Sequence, residues 1–207
     1  MGTATLSHAG VGATIVDRMW PDQVGNSATH RALRFVGLAL IGTALLTMSA
    51  KIKVPLFQVD ITLQTFAVLA LAAAYGRNLA VATVLLYLAQ GAAGLPVFTD
   101  TPERGLGLAY MLGTTGGYLA GFVVAAAIVG SAADRGWSNS IWKIGGAMIV
   151  ADILLFVLGV GWLASLIGAE NALLFGLYPF IPGEVLKIAL AALAVPAVMA
   201  LLAPRQK

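Results

Sequence analysis

Four long stretches of this chain carry no charged side chain: Phe35 to Ala50, Ile61 to Gly76, Asn78 to Thr99 and Gly105 to Ala133. Two more apolar runs are interrupted by a few ionisable residues, Ile144–Ile167 by Asp152 and Pro182–Ala203 by Glu184 and Lys187. A bilayer core asks for roughly 17–25 apolar residues per helix. The pattern therefore predicts six transmembrane helices, at about 35–50, 61–76, 78–91, 105–131, 144–167 and 182–203. The third is expected to stop near Gln90, because Gly91, Gly94 and Pro96 follow. Residues 1–30 are polar and mixed, and read as a tail with a short surface helix near Val11–Trp20. The membrane domain is then 31–207.

Composition supports this class. Of 207 residues, 59% are hydrophobic and 10% charged, where a soluble domain has about a quarter charged. The 24 glycines suit helices that pack closely through small side chains. The expected fold is an all-α integral membrane bundle. Six spans put both termini on one face. With the N-terminus inside, Arg18, Arg31, Arg34, Arg77, Arg135, Lys143, Arg205 and Lys207 are inner, against Lys51, Lys53 and Arg104 outside. The positive-inside rule then favours N-in and C-in, in the cytoplasmic membrane. The small net charge of +3 reads as topology, and no nucleic-acid partner is implied.

Several chemistries drop out. There is no cysteine, so neither thiolate catalysis nor a disulfide framework is available. The two histidines, His8 and His30, lie before the first span, and no metal site or cofactor is expected. No Gly-x-Ser-x-Gly elbow and no ATP-binding loop occurs. The chain does not read as an enzyme, and it has no means of driving transport with ATP by itself.

What remains is a set of polar residues in apolar surroundings. Glu184 and Lys187 lie three apart on one helix face. They are either an ion pair locking two helices or the polar part of a binding site. Gln64 follows a possible cap at Asp60 or Thr62, and either joins helices or meets a ligand. Tyr87 and Gln90 can face one cavity, and Phe98 can stack on a ring or anchor at the interface. Gly113, Gly117 and Gly121, spaced by four, make a seam for helix packing, from which Thr115 and Tyr118 can still reach a ligand. Asp152 is an acid inside a span, which is a functional candidate by default. It can be a site residue, a proton-coupling residue or a structural bond. In the predicted topology these features gather toward the outer side, with the loops at Val54–Asp60 and Thr99–Gly105 as candidate lids.

The blocks Thr62-Leu63-Gln64-Thr65-Phe66, Gly94-Leu95-Pro96-Val97-Phe98, Thr115-Gly116-Gly117-Tyr118 and Pro182-Gly183-Glu184-Val185-Leu186-Lys187, in this order, resemble the BioY family. These are biotin-capturing substrate (S) subunits of energy-coupling-factor importers. The resemblance covers about 35–203. It implies an S-component-like six-helix bundle and biotin as ligand. It also implies a transmembrane coupling subunit and an ATPase pair as partners. The family's last helix usually carries Pro-Gly-Asp-x-x-Lys, whose acid and base touch biotin; here the acid is Glu184, one methylene longer. Biotin has ureido N–H donors, a ureido carbonyl, an apolar bicycle and a carboxylate. Glu184, Lys187, Gln64, Tyr87, Gln90, Phe98, Thr115, Tyr118 and Asp152 are the expected binding set. Such subunits often dock through Ala-x-x-x-Ala on the first helix; the nearest match is Ala39 and Thr43, with Thr47 one turn on. The rival expectation is a carrier that works alone, with a proton gradient acting through Asp152 or Glu184.

Overall fold

The computed structural model describes residues 14–21, 27–56 and 59–203, apart from the side chains of 54–60. Within them the chain forms α1 (Ile15–Met19), α2 (Ala28–Lys51), β1 (Lys53–Leu56), β2 (Val59–Thr62), α3 (Gln64–Tyr75) and α4 (Arg77–Ala92). There follow α5 (Gly107–Met111), α6 (Gly116–Asp134), a 3-10 turn at Trp137–Asn139, α7 (Ile141–Ile167), α8 (Ala169–Gly176) and α9 (Ile181–Leu201). Four helices, α2, α6, α7 and α9, are long and apolar enough to cross a bilayer. This is a multi-pass membrane protein. The helices α3 and α4 are shorter, with 12 and 16 residues.

Helix α6 is the centre of the bundle. It packs on α7, α3 and α4, while α9 closes against α7 and α3, and α2 lies on α4 and α3. Small residues set these distances. A Cβ on Gly117 would stand 2.3 Å from the Leu158 carbonyl oxygen, and one on Gly121 2.9 Å from the Leu155 Cα. The glycine seam read from the sequence is thus the α6–α7 interface, where backbone meets backbone.

The boundaries depart from the apolar pattern in three places. The run read as 61–76 begins as strand: Lys53 pairs with Thr62 and Val54 with Ile61 in an antiparallel hairpin, and the helix starts only at Gln64. The run read as 105–131 is two helices, because the backbone turns at residues 112–115 between α5 and α6. Gly113 lies in that turn, so only Gly117 and Gly121 belong to the seam. The third departure is α8, which occupies a stretch that the apolar pattern left as a connection. All three features lie toward the same end of the bundle as the start of α9.

The N-terminal segment belongs to the bundle too. Thr14 and Asp17 form a reciprocal capping box on α1, and Ile15 and Val16 are buried. Arg18 donates to the Met199 carbonyl (3.0 Å) and Arg34 pairs with Asp17 (3.5 Å). So α1 is clamped under the far ends of α2 and α9 and does not form a free surface helix. Residues 1–13 lie outside the described set.

Candidate functional site

At the end of the bundle holding the hairpin, α5 and α8 there is a cavity of about 440 Å³. Ligand pockets typically span ~300–1,000 Å³. Its floor is the first turn of α9. Pro182 sits in that first turn, where its missing N–H costs nothing. Gly183 lets the Ile61 side chain of the hairpin come within 3.1 Å of where a Cβ would stand.

Glu184 and Lys187 are 4% and 6% exposed. The Lys187 ammonium donates to Glu184 Oε1 at 2.7 Å, and Thr65 Oγ1 donates to the same oxygen at 3.3 Å. The other oxygen, Glu184 Oε2, is buried with no hydrogen-bond partner among the described residues. A buried carboxylate oxygen left bare costs roughly 1–3 kcal/mol or more. A ligand N–H donor would remove that cost. Lys187 has two further N–H donors beyond the one given to Glu184.

The walls are aromatic. Phe98 stacks on Tyr110 with ring centroids 5.1 Å apart and meets Tyr87 edge-on at 5.3 Å. Across the cavity, Tyr118, Phe156 and Phe180 form a second run of ring contacts. Phe98 is seated by Gly91, whose Cβ would lie 2.0 Å from the ring. Gly91→Ala is therefore expected to push Phe98 off Tyr110. Overpacking of this kind costs about 1–3 kcal/mol, readable as a lower melting temperature and weaker ligand binding.

The rim is polar and pinned. Lys51 Nζ donates to the Phe98 carbonyl (2.7 Å), the Thr101 carbonyl (2.8 Å) and Thr101 Oγ1 (3.0 Å). Asp100 adopts a left-handed backbone with φ 53°. Its carboxylate pairs with Lys53 and, at 3.3 Å, with Arg104. Asp100 and Arg104 both border the cavity, and the Arg104 side chain is 70% exposed.

Six of the nine expected binding residues line this cavity: Gln64, Phe98, Thr115, Tyr118, Glu184 and Lys187. The other three stand elsewhere. Tyr87 lies behind the wall, fully buried. It accepts from Gln64 Nε2 at 2.7 Å and donates to the Val97 carbonyl at 3.0 Å, so it positions Gln64 and the Phe98 loop. Gln90 turns toward α2 and donates to Thr43 Oγ1 at 3.4 Å. Asp152 borders an adjoining groove between α7 and α9, which shares Glu184 and Phe156 with the cavity. The docking set also changes place. Ala39 and Thr43 are 4% and 3% exposed. Thr47 is half-buried and donates to the Thr43 carbonyl at 2.8 Å. Small residues serve internal packing as readily as external docking, and here they seat α2 against its own bundle. Of the two candidate lids, Thr99–Gly105 forms the rim, while the side chains of 54–60 lie outside the described set.

Sequence reasoning missed Tyr110, Arg104, Phe156 and Phe180. Tyr110 sat in a charge-free run that read as one helix, and Arg104 read as a topology signal. Phe156 was visible as the fourth residue after Asp152 on the same helix face, but nothing marked that face as inward.

A family model, described as the BioY family, matches residues 23–204. The chain belongs to the BioY family. A probable biotin transporter BioY of Pyrococcus horikoshii is 33% identical over 156 residues, covering 75% of this chain and 90% of that one. The biotin transporter BioY of Thermotoga maritima is 34% identical over 155 residues, covering 74% and 88%. The crystal structure of the S-component for biotin from an ECF-type ABC transporter superposes with a TM-score of 0.68, at 20% identity, over 84% of this chain and 95% of that one. At that identity the likeness is one of fold. BioY membership therefore rests on sequence, and the shared fold agrees with it.

Proposed function

We propose that this chain captures biotin in the cavity above α9 and serves as the substrate-binding subunit of an energy-coupling-factor importer in the cytoplasmic membrane. The observation that carries this reading is the buried, unpartnered Oε2 of Glu184 beside Lys187, in an aromatic cavity. The ureido N–H groups of biotin supply the missing donor, and Lys187 Nζ meets the ureido carbonyl. Charge-assisted bonds of this kind are among the strong ones. The bicycle then lies between the Phe98–Tyr110 and Phe156–Phe180 walls. Names of the relatives support the ligand.

The same geometry orients the ligand. A valerate carboxylate pointed at Glu184 would face a like charge. Pointed outward, it reaches the rim, where the Arg104 guanidinium stands. Arg104→Gln is expected to weaken biotin binding about 2–5-fold, the worth of an exposed charge pair, and to leave binding of biotin methyl ester unchanged. An equal loss for both ligands would place the carboxylate elsewhere.

In this reading α3 and α4 complete a six-helix membrane domain with α2, α6, α7 and α9. Both termini are cytoplasmic and the cavity opens outward, as the distribution of basic residues favours. The partners are a transmembrane coupling subunit and an ATPase pair; the chain itself is not an enzyme and needs no cofactor. The test is tracer biotin in vesicles. The chain alone binds biotin without accumulating it, and adding the coupling subunit and ATPases gives accumulation that requires ATP. Accumulation by the chain alone, abolished when the proton gradient is collapsed, would instead establish a solo carrier.

A further inference from the structure

Beside the binding cavity, residues of α7, α8 and α9 line an apolar groove of about 1,220 Å³. Its floor is made of small residues. Gly146 and Gly161 have open space where a Cβ would stand, and a Cβ on Gly145 would lie 3.3 Å from Ala192 Cβ. Two acids break the apolar lining: Glu184, which the groove shares with the binding cavity, and Asp152. Asp152 is 8% exposed, borders the groove, and its Oδ1 has no hydrogen-bond partner among the described residues. Whether neutral or ionised, a carboxyl in hydrocarbon is costly until a donor meets that oxygen.

Depth identifies the donor's source. With α7 running from Ile141 to Ile167 and a rise of about 1.5 Å per residue, Asp152 lies about 17 Å from one end and about 22 Å from the other. Lipid headgroups lie outside a hydrocarbon core about 30 Å thick, so their hydroxyl and ammonium groups stay well away from mid-depth. A second copy related by a two-fold axis through this face would bring a carboxyl against its own counterpart. A helix with a mid-depth hydrogen-bonding side chain satisfies both features. Its backbone fits close over the glycines, and its side chain reaches Asp152.

We propose that the α7–α9 groove receives a transmembrane helix of another protein, with an amide or hydroxyl side chain at mid-depth donating to Asp152. The groove shares Glu184 and Phe156 with the binding cavity; the proposal concerns its mid-depth part around Asp152 and does not require that biotin be the ligand.

The test uses the purified full chain in liposomes with a fluorophore at the cytoplasmic-side loop, and two dilute synthetic 21-residue Leu/Ala helices as energy-transfer partners. One probe helix carries a single central Asn and the other a Leu. The Asn helix is expected to associate about 3–10-fold more tightly, the range of interhelical hydrogen bonds in bilayers. That preference should vanish in Asp152→Leu. It should also vanish in Gly146→Leu, which fills the groove and leaves the acid in place. Thermal melting confirms that both variants are folded. Equal association of the two probe helices, or an Asn preference that survives both substitutions, overturns the proposal. So does energy transfer between two differently labelled copies of the chain that Asp152→Leu abolishes, since the groove would then serve self-association.

Discussion

Lys187→Met is expected to weaken biotin binding by about 100-fold or more while the bundle stays folded. The ammonium gives one donor to Glu184 Oε1 at 2.7 Å and has others for a ligand carbonyl. Removing one member of a buried, hydrogen-bonded pair typically costs about 3–5 kcal/mol, and each 1.4 kcal/mol is about tenfold in affinity. Part of that cost falls on the protein itself, because Glu184 is left as a buried charge without a counterion. The double variant Glu184→Gln with Lys187→Met separates the two effects. It removes both charges, so its melting temperature should return toward that of the native chain. Its biotin binding should stay lost. If the double variant binds normally, the pair is a helix lock and the cavity holds its ligand by other groups.

Gly117→Val carries the largest expected effect on stability. A Cβ there would stand 2.3 Å from the Leu158 carbonyl oxygen and 2.5 Å from Trp162 Cβ. Neither α6 nor α7 can yield cheaply, because the first obstacle is backbone. The displacement would also strain the bond from Trp162 Nε1 to the Gly113 carbonyl, now 2.8 Å. Overpacking usually costs about 1–3 kcal/mol, and backbone contact places this case at the upper end. A fall of several degrees in the detergent melting temperature is the expected result. A native melting curve would mean that α6 and α7 do not approach as closely as described. Gly37, with open space around it, is the matched control, and Gly37→Val should melt like the native chain.

How much of this was legible in the sequence follows from what each residue's neighbours are. Apolar runs mark burial in lipid or protein, so the four long helices stood out, α7 and α9 despite the ionisable residues inside them. They do not report backbone direction, so the break between α5 and α6 was invisible inside one apolar run. The hairpin was hidden for the opposite reason: at four residues each, β1 and β2 are too short to carry a period. Glu184, Lys187 and Gln64 were recognisable because polar groups in apolar runs need partners. Choosing which partner needs three dimensions. Asp152 has the same signature as Glu184, yet it borders only the α7–α9 groove, while Leu155 and Phe156, one turn on along α7, line the cavity. Gln90 lies one turn from Tyr87 and still turns to Thr43. Ala39 and Thr43 show the same ambiguity for small residues, which seat internal and external neighbours alike. The basic residues carried a double meaning. Lys51 and Arg104 count toward topology, and they also fix or border the rim of the cavity.

The most direct measurement is equilibrium binding of labelled biotin to the purified chain in detergent, with no partner subunit present. Saturable binding of one biotin per chain, competed by unlabelled biotin and lost in Lys187→Met, is the predicted result. A chain shown by its melting transition to be folded, yet binding no biotin at micromolar concentration, would contradict it.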